Sequence, residues 1–322
     1  MPPLVSLVLP VFNEEEVIPA LLGRLATLLE RLPLRTEVIF VDDGSVDGSA
    51  RLLREAVQRD PRLRLLSLSR NFGHQPAITA GLDHANGDAV VVMDADLQDP
   101  PEVVAELVAR WQQGFDVVHA RRRRRAGETW MKLVTARAFY RLFAALSPVP
   151  TVSDSGDFRL MSRRVVLAMR SLEESHRFLR GLVAWVGFRQ TVVEYDRPER
   201  PAGRTKFPFT RMTRFAMDGI TSFSTAPLRL ATYLGLLVGL VAVGVAAWAA
   251  WDHFVAHRTI QGWTSLIVVV SLIGAVQFVL IGIVGAYVGR IYEEVKRRPL
   301  YIVSEEVSST AGGERSPKSL AR

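Results

Sequence analysis

Four times in the first hundred residues a short apolar run, rich in branched side chains, stops at a cluster of polar ones. Val5–Leu9 leads to Asn13 and Glu14, Glu37–Val41 to Asp42 and Asp43, Leu63–Leu68 to Arg70 and Asn71, and Val90–Met93 to Asp94 and Asp96. Apolar runs of this length between turn signals read as buried strands. The stretches between them read as helices: from about Val17 to Leu32, over Ser49–Gln58, through about Ala85, and from Pro101 to Gln113, with a further strand at Val117–His119. Asn13 and Glu16 also have the spacing of a helix capping box. Strand–helix alternation predicts an α/β fold, a doubly wound and mostly parallel sheet with right-handed crossovers. Such sheets bind ligands beyond the carboxyl ends of their strands, so the polar clusters are expected to meet at one edge.

The fourth cluster is the most specific. Asp94, Asp96 and Gln98 are alternating oxygen donors at a strand end, and oxygen ligands are what Mg2+ or Mn2+ require. Asp42 and Asp43 suit hydrogen bonds to ribose hydroxyls or to a base N–H, or they are merely a turn with a helix cap. No Gly-x-Gly-x-x-Gly follows the first strand and no Gly-Lys-Ser/Thr loop is present, which argues against a dinucleotide site and a Walker-type phosphate loop. The chain has no cysteine, which excludes disulfides, thiolate metal sites and a cysteine nucleophile.

The second half changes character. Leu230–Trp251 and Trp263–Gly289 carry no charge, and each exceeds the roughly 20 apolar residues that a spanning helix needs. Lys206, Arg211, Arg214 and Arg229 precede the first run, and Arg290, Lys296, Arg297 and Arg298 follow the second. The positive-inside rule then predicts two spans with both termini cytosolic. The first ten residues carry no signal-peptide pattern, in keeping with that orientation. A net charge of +7 is accounted for by such membrane flanks, and no nucleic-acid partner is expected. The organisation expected is a catalytic α/β domain over 1–205 that includes an amphipathic helix at 128–147. An interfacial segment at 206–228, a transmembrane hairpin at 229–290 and a partly disordered tail at 291–322 follow, with the Ser/Gly/Glu/Lys-rich part after Ser304 the disordered one.

Taken together, Pro10–Glu14, Val41–Ser45, Arg70–Gly73 with Ala77, and Asp94–Pro101 resemble the GT-A fold of family-2 glycosyltransferases. With Gly156–Arg159, Gly203–Phe207 and Gly289–Tyr292, the chain is similar to the polyprenyl-phosphate glycosyltransferases in particular. The family pattern often has Tyr where Phe12 and Phe207 stand and Ser where Thr205 stands. The resemblance implies a bacterial inner-membrane enzyme, tetrameric, that moves a hexose, with UDP-glucose the favoured donor, to undecaprenyl phosphate with inversion. GDP-mannose, UDP-N-acetylhexosamine and a UDP-aminopentose are alternative donors, and a non-catalytic membrane scaffold is the alternative of another class. A processive polysaccharide synthase is disfavoured because Gln-x-x-Arg-Trp is absent.

By the same resemblance, Pro10, Asn13, Glu14, Asp42, Asp43, Asn71 and Asp94 hold the nucleotide sugar, and Asp94, Asp96 and Gln98 hold Mg2+ or Mn2+. Arg121 and Arg124, in the basic run Arg121–Arg125, take the acceptor phosphate with Arg200 and Lys206, since guanidinium forks bind phosphate bidentately. Asp157, then Asp154, are the catalytic carboxylates, acting as a base or orienting the acceptor. Asp154 also suits a helix cap. A phosphate monoester, with a second pKa of about 6, barely needs deprotonating.

Overall fold

The computed structural model describes residues 2–123, 155–174, 177–196, 226–255 and 262–309. They fall into two compact units, one running to Asp196 and resuming at Pro299, the other from Ala226 to Arg298.

The first unit is built on an eight-stranded sheet. In chain order its elements are β1 (Leu4–Val11), α1 (Ile18–Arg31), β2 (Arg35–Asp42), α2 (Ser49–Arg59), β3 (Leu63–Leu68), α3 (His74–His84), β4 (Ala89–Val92) and α4 (Val103–Gln112). Then come β5 (Val117–Arg122), β6 (Ser155–Ser162), α5 (Arg163–Arg170), α6 (Leu179–Trp185), β7 (Gln190–Tyr195) and, after the second unit, β8 (Val303–Ser308). The strand order is β7-β5-β6-β4-β1-β2-β3-β8. Strands β1 to β3 progress one way and β4 adds in parallel on the other side of β1. The order therefore reverses between β1 and β4, and a crevice opens at their carboxyl ends.

Alternation along β1 places helices on both faces. Val5, Leu7, Leu9 and Val11 join one core with Ile18, Leu21, Leu25 and Leu28 of α1, Leu53 and Val57 of α2, and Leu107 of α4. Val8 points the other way, toward α3, where a Cβ added to Gly81 would come within 2.1 Å of Val8 Cγ1. Glycine is needed there because helix and strand approach so closely.

The sheet is mostly parallel as expected, four of its seven strand pairings being parallel, with β6 antiparallel to β4 and β5 and β8 antiparallel to β3. Two expectations need correction. The capping box does not form: α1 begins at Ile18 without a side-chain cap, and the Asn13 side-chain oxygen instead accepts the Val46 N–H at 2.9 Å. The tail is ordered well past Ser304, as edge strand β8. It is fixed by Arg54 to Glu305 at 2.8 Å, by Arg64 to Glu306 at 2.8 Å, and by the Tyr301 hydroxyl donating to Asp83 at 2.9 Å.

The second unit is a pair of helices, α7 (Ala226–Phe254) and α8 (Trp263–Lys296). They pack closely enough that a Cβ on Gly235 would touch Leu280 Cδ1 at 3.4 Å. Among the described residues one segment, Leu272–Lys296, is long and apolar enough to cross a membrane. The apolar segment in α7, Ala231–Val245, is shorter, so the expectation of two spans is supported for one helix only. The expected amphipathic helix at 128–147 and the interfacial segment at 206–228 lie outside the described residues, except for 226–228.

Candidate functional site

The loops after β1, β2 and β3 are stitched to one another. Asn13 sits at φ 55°, a left-handed conformation that asparagine tolerates better than most residues. Its N–H donates to Ser45 Oγ at 3.0 Å, and the Glu14 N–H donates to Ser49 Oγ at 2.9 Å. Asp42, buried, accepts the Ser45 N–H at 3.1 Å. Asp43 spends both oxygens on backbone, accepting Phe72 N–H at 2.7 Å and Gly73 N–H at 2.9 Å. Burial pushes its carboxyl up, against the pull of those two amides. Gly44, at φ 70°, lets this loop lie against Arg70, whose carbonyl carbon would meet an added Cβ at 2.6 Å. Pro10, Asn13, Glu14, Asp42, Asp43 and Asn71 thus belong to one continuous loop edge. Within it Asp43 acts as a brace between loops, each of its oxygens accepting one backbone amide.

The β4 loop is tight and crowded with carboxylates. Leu97, at φ 59°, is a large side chain held in a conformation that leucine rarely adopts, a local strain of the kind found at binding loops. Asp96 Oδ1 accepts the Gln98 N–H at 3.0 Å. Asp99 is buried, accepting the Tyr195 hydroxyl at 2.8 Å and the Asp94 N–H at 3.2 Å. Asp94 Oδ1 is sealed from solvent with no hydrogen bond among the described residues. Burial first, then the Asp99 charge, push the Asp94 carboxyl up to about 7. A sealed carboxylate oxygen without a hydrogen bond, on a group pressed toward neutrality, is the environment that a cation relieves.

No group of three or more His, Cys, Asp and Glu side chains is gathered for a metal among the described residues. That is compatible with Mg2+, which commonly takes one or two carboxylates and completes its shell with water and substrate phosphate oxygens. Asp94 and Asp96, with the Gln98 amide, fit that demand.

Asp157, on β6, is the second centre. It is 6% exposed and surrounded by cations. Arg180 donates to both of its oxygens at 3.0 and 3.1 Å, Arg159 to one at 3.3 Å, and the Gln75 amide to the other at 3.3 Å. His74 Nε2 lies 3.4 Å from Asp157 Oδ2 and 3.5 Å from Asp94 Oδ1, bridging the two carboxylates. Burial opposes the charge on Asp157, yet His74, Arg180 and Arg159 together hold its carboxyl far below the usual range. A carboxylate so stabilised is a poor proton acceptor, which weighs against Asp157 as a base. Burial likewise opposes charge on His74, but Asp157 and Asp94 outweigh it and raise the imidazole.

The basic run divides by strand alternation. Arg121 pairs with Glu194 on β7. Arg122, on the opposite face, donates to the Tyr195 hydroxyl at 3.2 Å and reaches within 4.0 Å of Asp99. Among the described arginines of the run, Arg122 is therefore the one that faces Asp99, while Arg121 faces Glu194. Arg124, Asp154, Arg200 and Lys206 lie outside the described residues.

Sequence reasoning assigned no role to His74, Gln75, Asp99, Arg159, Arg180 or Tyr195. His74 and Gln75 directly follow Arg70–Gly73, and Arg159 shares a strand face with Asp157, so position alone could have flagged those three. Arg180 offers no such signal.

The family model for glycosyl transferase family 2 matches residues 6–169. The chain is 48% identical over 300 residues to the glycosyltransferase YkcC of Bacillus subtilis (strain 168), covering 93% of each. It is 44% identical over 301 residues to the bactoprenol glucosyl transferase of Shigella phage SfII, covering 94% of this chain and 97% of that one. The solved structure of glucosyl-3-phosphoglycerate synthase from Mycobacterium tuberculosis with Mn2+, uridine-diphosphate and phosphoglyceric acid is similar at a TM-score of 0.48 and 20% identity, over 67% of this chain and 75% of that one. A likeness at that distance carries no functional inference. The match to the family model over half the chain and the near-full-length relatives agree: the chain belongs to glycosyl transferase family 2.

Proposed function

We propose that this protein transfers glucose from UDP-glucose to a polyprenyl phosphate, with inversion at the anomeric carbon. The observation that carries the site is Asp94 at the crevice between β1 and β4, whose sealed Oδ1 makes no hydrogen bond and meets His74 Nε2 at 3.5 Å, with a raised pKa. The acceptor and sugar are supported by the bactoprenol glucosyl transferases to which the chain is similar along nearly its whole length.

In this reading the nucleotide lies along the stitched loops after β1 to β3, and its diphosphate meets Asp94, Asp96 and Gln98. A divalent cation held there supplies neutralisation of the charge that grows on the leaving diphosphate. A phosphate oxygen of the lipid attacks the anomeric carbon as the bond to the diphosphate oxygen breaks, and that electron pair leaves with UDP. The acceptor is mostly ionised near neutrality, with a second pKa of about 6, so no strong base is required. Asp157 serves instead as a fixed negative charge that orients His74 and Arg180 toward the reacting groups. Arg122, with Arg124, Arg200 and Lys206, gathers the acceptor phosphate. The helices of the second unit, as two spans with both termini cytosolic, keep the enzyme at the lipid surface, and the oligomer is a tetramer.

The test is a donor screen with purified protein, undecaprenyl phosphate and Mn2+, reading lipid product by mass and released nucleotide by chromatography. Hexose added to the lipid phosphate with UDP-glucose alone is expected, together with loss of product in EDTA and in Asp96→Ala. Product with GDP-mannose or UDP-N-acetylhexosamine instead overturns the donor assignment, and no product with any donor overturns the transfer itself.

A further inference from the structure

Beneath Asp157 the sheet holds a polar pair that the reaction does not directly use. His119 on β5 and Arg159 on β6 stand opposite each other in the antiparallel register. Side chains of directly opposed residues project to the same face with their Cβ atoms about 5 Å apart. Both are sealed, at 3% and 2% exposure. His119 Nε2 lies 2.9 Å from the Gln190 side-chain oxygen, and the Gln190 amide donates onward to the Val183 carbonyl at 3.0 Å. Because that amide is committed to Val183, Gln190 presents its oxygen to the ring, so Nε2 carries the proton and donates. The remaining ring nitrogen, Nδ1, is then an acceptor, and it is buried without a partner among the described residues. Across the strand pair Arg159 has the complementary deficit: Nη1 is a donor, also buried and unpartnered. Its other nitrogens are spent on the Gly156 and Asp157 carbonyls and on the Asp157 carboxylate.

An orphaned acceptor and an orphaned donor on one cross-strand pair are each costly to bury, and one bridging water satisfies both. We infer that His119 is a positioning residue, whose Nδ1 accepts from one buried water that in turn accepts from Arg159 Nη1–H, and so fixes the guanidinium that holds Asp157. The polar chain then runs from Val183 on α6 through Gln190, His119 and Arg159 to Asp157, and on to His74. Burial and the adjoining Arg159 charge hold the His119 imidazole at about 4, consistent with a ring that stays neutral and keeps its acceptor. The role in turnover rests on the glycosyl-transfer reading above, but the contact itself does not.

The experiment uses the full-length protein and two isosteric probes. Asn places its side-chain oxygen where Nδ1 stands, whereas Gln places its polar atoms where Nε2 stands. His119→Gln is expected to lower kcat about tenfold, the lower end of what losing a supporting hydrogen bond costs at ordered sites, with KM for UDP-glucose within twofold of the parent. His119→Asn is expected to recover most of that loss. Equal activity in all three proteins overturns the proposal. So does an equal fall in both variants that tracks their loss of thermal stability, which is the signature of packing alone. Independently, 15N NMR of the histidine-labelled parent, with His119→Asn for assignment, is expected to show the Nε2–H tautomer with a hydrogen-bonded Nδ1. A proton on Nδ1 overturns the contact. Should the parent fail to turn over the donor and lipid, the function reading falls while the tautomer still decides this one.

Discussion

Asp94 and Asp157 both approach the ring of His74, and their surroundings treat the two charges in opposite ways. The Asp94 pKa, at about 7, lies above its unfolded value of about 3.9. Its carboxylate therefore costs stability, a cost absent below about pH 4 and complete above about pH 7. Asp157 is depressed, so its contribution is favourable at neutral pH and is lost only as the pH falls below the unfolded value. In chelator at pH 8, Asp94→Asn is expected to stabilise the protein. The shift corresponds to roughly 4 kcal/mol at about 1.4 kcal/mol per pKa unit, and with the side chain 30% exposed solvent screening leaves about 2 kcal/mol. Asp157→Asn strands two arginines and is expected to cost about 3 kcal/mol. Thermal melts decide it, and shifts of the same sign would remove this electrostatic account. Asp94 was legible in the sequence because a carboxylate at a strand end carries its own signal. The cage around Asp157 was not, since Gln75 and Asp157 lie 82 positions apart and only the folded sheet brings them together.

At the scale of elements, α3 and β8 show where pattern reading succeeds and where it fails. The strands and helices up to α4 follow from apolar runs and their spacing, and the structure places them close to the expected boundaries. Helix α3 depends on Gly81 for its approach to the stiff, branched Val8. Gly81→Ala is expected to cost about 1–3 kcal/mol by overpacking, measured by chemical denaturation. Gly23→Ala on α1, where nothing lies within 4 Å of the added carbon, is expected to gain about 0.5–1 kcal/mol from helix propensity. Strand β8 was misread because Ser304-Glu305-Glu306 looks like a solvated tail. Its pairing is visible only once Arg54 and Arg64 on distant elements supply the countercharges. Ending the chain after Tyr301 is expected to speed amide exchange along β3 at least tenfold, read by mass spectrometry, and unchanged exchange would deny β8 its structural part. The alternation that turns Arg122 rather than Arg121 toward Asp99 needed the exact end of β5, which a run of five arginines conceals.

For the whole molecule, the second unit carries large apolar side chains with no cover, among them Leu236 and Leu240 of α7 and Phe278 and Ile281 of α8, all exposed. Uncovered apolar surface on this scale marks a contact with lipid or protein. Two-span topology can be tested cleanly, because the chain has no native cysteine. A cysteine at Arg258 is expected to react with an impermeant maleimide in intact cells and one at Arg297 only after lysis, while the reverse pattern would invert the orientation. The candidate span in α8 was legible from charge-free length, whereas the apolar segment of α7 over its described residues is shorter than a span needs. Strand β8 also sets an order of events during synthesis. The sheet that carries the carboxylates cannot close its β3 edge until the ribosome has translated past α8, so a chain interrupted within the hydrophobic hairpin leaves a raw strand exposed. Completion of the sheet is thereby tied to synthesis of both helices of the second unit.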